Sequence, residues 1–197
     1  MMHSIISLVK TIATAIAIIL VLKFTGLLGS VAYYSQSAVM ATGILDADDV
    51  VTKEKKLFPY QFSVKNLSGI ARPVESFKGK VIFLNLWATW CGPCKAEMPA
   101  IEKLYQSIDT TKVAFIMLSI DRERDKQKIL NYISEKKFTF PVYQPASELP
   151  ELLRVPSIPT TFIISKEGQV VSQEVGTTNF NTPRFKKFLS GLAEGSN

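Results

Sequence analysis

The stretch Val81-Ile-Phe-Leu-Asn-Leu-Trp87 constrains this chain more than any other, because it runs almost directly into Trp90-Cys91-Gly92-Pro93-Cys94. Seven residues, apolar except for Asn85, are what a strand shows when both of its faces are buried. Beyond the cysteines, Ile101, Leu104, Tyr105 and Ile108 recur at helical spacing, the inward stripe of a helix that begins at or near Cys91. Cys91 is therefore expected where a buried strand hands over to a helix. There the free backbone N–H groups and the positive end of the helix dipole favour a thiolate. Such surroundings lower a cysteine pKa from about 8.5 to between roughly 3.5 and 7.5. Cys91 and Cys94 are also the only cysteines of 197 residues. Their spacing lets them close a disulfide across one tight turn, and the reading is a redox-active pair.

Three other readings compete. A purely structural disulfide is open to an exported protein, but closing so short a loop removes little entropy from the unfolded chain and stabilises weakly. A zinc site needs about four ligands, and besides the two cysteines the chain has one histidine, His3, at its far end. A thiol peroxidase would be expected to carry Thr or Ser at position 88, which is Ala88.

The first 34 residues differ in kind from the rest. Ile12 to Leu22 is apolar apart from Thr14, Lys10 and Lys23 flank it, and no acidic residue precedes Asp46. Extended back to Ile5, with Lys10 reaching towards headgroups, the stretch approaches the roughly 20 residues of a membrane span. Phe24, Tyr33 and Tyr34 would lie at the far interface. The alternative is a cleaved signal peptide processed near Ser30-Val31-Ala32; no cysteine is present there to carry a lipid. Both readings export the globular part, and a single cysteine pair in an oxidising compartment suits exchange chemistry. Residues 35–56 mix small, polar and charged types without periodicity and read as a tether. The domain proper spans residues 57–197, with 18 Lys/Arg scattered against 13 Asp/Glu. That spread describes a mildly basic solvated surface, not a nucleic-acid face.

Within the domain, Phe58–Val64 and Ile70–Val74 flank the Lys65–Gly69 turn and predict a hairpin. Val81–Trp87 and Val113–Ile120, joined by a helix reaching about Ser107 with Pro99 inside it, predict a parallel, right-handed βαβ unit. Residues 124–136 carry a helical stripe, and Phe138–Tyr143 suggests a further strand. A short helix is expected over Ser147–Leu153. Thr161–Ile164 and Gln169–Val175 around Lys166-Glu167-Gly168 predict a second hairpin. Thr182-Pro183 opens a closing helix with Phe185, Phe188, Leu189 and Leu192 on one face.

This order of elements, with Ile158-Pro159-Thr160 late in the chain, resembles the thioredoxin fold. The phrase Asn85-Leu-Trp-Ala-Thr-Trp-Cys-Gly-Pro-Cys-Lys-Ala-Glu-Met-Pro99 is similar to the TlpA/ResA group of exported or membrane-anchored thiol–disulfide oxidoreductases, over about residues 57–193. The resemblance implies an α/β fold: a central mixed sheet flanked by helices, an N-terminal hairpin, an inserted helix and strand, and one hydrophobic helix in front. It implies Cys91 as nucleophile and Cys94 as resolving thiol, with Trp90, Gly92 and Pro93 shaping their rim. Pro159 matches the family's cis-proline, beside which Ile158 and Thr160 would form a groove for an extended substrate segment. Asn85 stands where ordinary thioredoxins keep a buried acid, and can hydrogen-bond without accepting a proton. Glu97 matches this group's acidic residue, placed to take a proton from Cys94; otherwise it is a solvated helix glutamate.

The implied partners are protein disulfides, apocytochrome c among them, and a membrane electron-donor thiol carrier. No bound cofactor or metal is implied, and no nucleic acid. The implied location is the bacterial cell envelope, with the catalytic domain on the periplasmic side. Gly-Pro between the cysteines resembles reducing members of the fold. A general extracytoplasmic reductase or oxidant, and a non-catalytic thioredoxin-fold binding module, are the competing functions.

Overall fold

In a computed structural model of the chain, the structure describes residues 10–14, 16–18, 21 and 56–195. The first three groups are helical, with Ile12, Ile16, Ile18 and Val21 exposed. Among the described residues no helix is long and apolar enough to cross a membrane. The remainder of the expected anchor or signal, with Phe24, Tyr33, Tyr34 and the Ser30–Ala32 site, lies outside the described residues, as does the tether up to residue 55.

Eight strands form one mixed sheet. In chain order they are β1 (Lys56–Leu57), β2 (Ser63–Asn66), β3 (Ala71–Pro73), β4 (Val81–Trp87), β5 (Val113–Ser119), β6 (Val142–Pro145), β7 (Thr160–Ile164) and β8 (Gln169–Val175). Across the sheet they run β1-β8-β7-β4-β5-β6-β2-β3. β4, β5 and β6 are parallel, and every other neighbouring pair is antiparallel. Among the described residues from 56 on, the helices are α1 (Gly92–Ser107), α2 (Lys126–Lys136) and α3 (Pro183–Glu194).

β4 and β5 lie at the centre and every residue of both is buried, which explains their unbroken apolar sequences. Alternation along β4 divides the core in two. Val81, Phe83 and Trp87 join Cys94, Met98, Ile101 and Leu104 of α1, Ile129 of α2, and Phe185 and Leu189 of α3. Phe83 stacks on Phe115 at 4.9 Å and meets Phe180 edge-on at 5.1 Å. On the opposite face Ile82, Leu84 and Leu86 pack with Ile116, Leu118 and Phe162 under an aromatic roof of Phe58, Tyr60 and Phe62. Helices α1, α2 and α3 thus feed one core, and the segment before the hairpin covers the other.

Four expected boundaries shift, each for a local reason. Phe58 to Phe62 is not a strand: Pro59 has no N–H to give a ladder, and the Phe62 N–H donates to the Tyr60 carbonyl at 2.8 Å. The hairpin is instead β2–β3, its turn held by Asn66 Oδ1, which accepts from the Ser68 and Ile70 N–H groups. Strand β6 begins at Val142 and not at Phe138, because the Thr139 and Phe140 N–H groups donate to the buried Glu102 carboxylate and Pro141 has none. Ser147–Leu153 shortens to a 3₁₀ turn at Glu151–Leu153 after Pro150. At the domain's start, Lys56 already pairs with Val170, one residue inside the expected tether. α1 runs through Pro99 from Gly92 to Ser107.

Candidate active site

The site forms where β4 ends. Cys91 is the N-cap of α1, in extended backbone conformation, and its Sγ accepts the Cys94 N–H at 3.1 Å. Pro93 lies in the first turn, where a missing N–H costs nothing. The first turn holds no acidic residue to compensate the helix's positive end. Cys91 and Cys94 are joined in a disulfide with Cα atoms 5.3 Å apart. Cys91 retains 5% exposure and Cys94 none, so of the two only Cys91 is open to solvent. Gly92 is buried, Pro93 half-buried, and Trp90 stands 68% exposed at the rim.

The Ile158–Pro159 peptide is cis. It brings the Ile158 carbonyl oxygen within 3.7 Å of Cys91 Sγ. Two further bonds fix this corner: the Gly176 N–H donates to the Pro159 carbonyl at 2.9 Å, and the Thr160 hydroxyl donates to the Ser157 carbonyl at 2.8 Å. Thr160 therefore has its hydroxyl turned into the corner and is buried, while half-buried Ile158 faces the disulfide.

A second layer lies beneath the sulfurs. Glu97, one helical turn beyond Cys94, is fully buried and is not the solvated glutamate of the alternative reading. Its Oε1 accepts from Asn85 Nδ2 at 2.8 Å and its Oε2 from the Thr178 N–H at 3.2 Å. Asn85 Nδ2 also donates to Thr161 Oγ1 at 2.9 Å. Burial pushes the Glu97 carboxyl up to about 8, against the opposing pull of the Asn85 and Thr178 hydrogen bonds. A carboxyl held there titrates close to an ordinary thiol. Directly after Cys94 on α1, Lys95 has its ammonium 5.1 Å from the Tyr132 ring centre, and desolvation lowers its pKa.

Sequence reasoning missed Thr161 and Thr178 in this layer. Thr161 carries a weak signal, since it directly follows Ile158-Pro159-Thr160 on a strand expected to pair with β4. Thr178 carries none, because it contributes a backbone N–H that any residue but proline supplies.

A mixed sheet with a CxxC disulfide at a helix N-terminus, facing a cis-proline corner, defines a thiol–disulfide oxidoreductase of thioredoxin fold. Comparison with known proteins agrees. The AhpC/TSA family pattern matches residues 56–173, more than half of the chain. "Thioredoxin-like protein YneN" of Bacillus subtilis is 35% identical over 117 residues, 59% of this chain and 68% of that protein. "Thiol-disulfide oxidoreductase ResA" of Bacillus thuringiensis is 34% identical over 130 residues, 64% of this chain and 74% of that protein. The crystal structure of a thiol:disulfide interchange protein from Chlorobium tepidum shares the fold, with a TM-score of 0.58, 24% identity, and coverage of 72% of this chain and 99% of that one. The chain belongs to the AhpC/TSA family and is a ResA-like thiol–disulfide oxidoreductase carrying its redox pair at Cys91 and Cys94.

Proposed function

We propose that this oxidoreductase works as a reductant of protein disulfides on the extracytoplasmic side of a bacterial membrane. Cys91 is the nucleophile and Cys94 the resolving thiol. In the reduced enzyme the Cys91 thiolate attacks one sulfur of a partner disulfide, forming a mixed disulfide and expelling the partner's other thiolate. Cys94 then loses its proton and attacks Cys91 Sγ, which releases the partner fully reduced and leaves the Cys91–Cys94 disulfide. Two electrons pass from the enzyme to the partner.

The single observation that carries this reading is the burial of Glu97 one turn beyond Cys94, with its pKa pushed up to about 8. Asn85 has no proton to exchange in this range, so Glu97, in the fraction of molecules in which its carboxyl is ionised, is the group that takes the Cys94 proton. In doing so it becomes neutral, the form its burial favours. Ile158 and Pro159 offer backbone to an extended partner segment, Thr160 holds their corner closed, and Trp90, Gly92 and Pro93 form the lip over Cys91. The enzyme needs no bound cofactor; a membrane thiol carrier recharges it. Likeness to the TlpA/ResA group favours apocytochrome c haem-site cysteines as the substrate, and the apolar N-terminal segment favours membrane attachment or export.

The test is to mix reduced protein with an oxidised CxxCH peptide and with an unrelated disulfide peptide. Faster reduction of the CxxCH peptide is expected. Equal rates would make the protein a general reductase, and a reduction potential near −120 mV in place of about −270 mV would reverse the direction of flux.

A further inference from the structure

We propose that Asp121 is a positioning residue for thiol–disulfide exchange, acting through Thr89 to hold the turn that delivers Cys91. The proposal rests on the exchange reaction set out above. The Ile120 N–H still donates to the Trp87 carbonyl at 2.9 Å, keeping β5 zipped to the last residue of β4. One residue later the backbone turns, because Ser119 Oγ accepts the Asp121 N–H at 3.1 Å and donates its own hydrogen to Asp121 Oδ2 at 2.7 Å. That pair of bonds folds the carboxylate back over the end of β4.

There it meets one residue. Asp121 Oδ2 accepts the Thr89 N–H at 2.8 Å and Oδ1 accepts the Thr89 hydroxyl at 2.7 Å. Asp121 is 6% exposed, and its carboxylate bonds are to Thr89 and Ser119. Thr89 lies in the turn that joins β4 to α1. The turn is closed by the Cys91 N–H donating to the Ala88 carbonyl at 3.1 Å, which leaves Thr89 and Trp90 as its two central residues. Trp90 is 68% exposed, so burial does not fix it, and the turn is held laterally by Thr89. A buried carboxylate is tolerated only when it is fully hydrogen-bonded. Here two of its three bonds go to Thr89, the residue two before the attacking sulfur. Releasing them lets the turn, and Cys91 with it, drift from the Ile158 carbonyl, and small misplacements of a nucleophile cost rate before they cost binding.

The experiment compares wild type with Asp121→Ala, Thr89→Val and Thr89→Ser as full-length reduced proteins. Insulin is the disulfide substrate, kcat and KM are determined separately, and thermal unfolding identifies a temperature at which each variant is folded. Asp121→Ala is expected to lower kcat about ten-fold with KM within about two-fold, and Thr89→Val to lower it roughly three-fold. Thr89→Ser retains both donors and should stay within about two-fold of wild type on both constants. If Asp121→Ala does not fold, the Thr89→Val and Thr89→Ser pair decides. Unchanged kcat in Asp121→Ala or Thr89→Val, a change confined to KM, or an equal loss in Thr89→Ser would overturn the proposal while wild type remains active. An inert wild type would instead sink the exchange reading, and this proposal with it.

Discussion

Asn85 gives its amide hydrogen to the Glu97 carboxylate at 2.8 Å, across the interface between β4 and α1, with neither residue exposed to solvent. A charged acid in that place is costly and a neutral one is not. The pair therefore stores a proton next to the redox couple.

Stability of the oxidised protein should fall as pH rises. Glu97 titrates at about 8 in the folded chain and near 4.3 when unfolded. Between those values the native state keeps a proton that the unfolded chain releases. The stabilisation is complete below the lower value, declines through the window and is gone above the upper one. Urea unfolding at pH 5 and pH 9 should lose a few kcal/mol in wild type beyond any loss in Glu97→Gln. Parallel pH dependences in the two proteins would refute the assignment.

Replacing Asn85 with Leu should cost more at high pH than at low. The change removes the donor to Glu97 Oε1 and to Thr161 Oγ1. Losing a buried hydrogen bond to a charged group costs about 1.5–3 kcal/mol, and to a neutral one about half that. Denaturation midpoints at pH 6 and pH 9 measure the difference. A cost independent of pH would mean that Asn85 matters only for packing.

The two cysteines should behave unequally when one is removed. Cys91→Ser should abolish turnover. Cys94→Ser should accumulate a mixed disulfide on Cys91, because the sulfur that resolves it is gone. Non-reducing gels and mass spectrometry after incubation with a disulfide peptide read this directly. Adducts on Cys94 in the Cys91→Ser protein at a comparable rate would contradict the assigned order.

Phe83→Ala should be the costliest truncation in the helix-side core, at about 3–5 kcal/mol. Phe83 is fully buried and touches Phe115, Phe180 and Phe185, so its removal leaves a void shared by β5 and α3. Calorimetry of the oxidised protein would check it, and a loss under about 1 kcal/mol would mean that the surrounding rings close in.

What the sequence made legible follows the physics of each element. β4 and β5 are buried on both faces, so their apolar runs declared them. α3 carried its own start signal: Thr182 caps it, accepting the Phe185 N–H at 3.1 Å, and Pro183 follows in the first turn. The strand near Phe138 was misplaced because a distant carboxylate, Glu102, takes the amides a ladder would use, with Thr139 Oγ1 also donating to it at 2.6 Å. The aromatic Phe58–Phe62 segment read as a strand although its rings pack as a lid. In the site, the cysteines, Asn85, Glu97 and Pro159 lie in recognisable phrases. Thr178 and the Thr89–Asp121 pairing depend on which loops meet in space, and spacing along the chain does not encode that.

The unequal access to the two sulfurs also governs how the molecule selects its visitors. Under the proposed order of attack an incoming disulfide would negotiate with Cys91 alone, and Trp90 and Ile158 would screen it at the threshold. Cys94 is never part of that inspection. On that proposal, substitutions at the threshold are the ones to change the clientele, and substitutions around Asn85 and Glu97 are the ones to retune the couple's appetite for electrons.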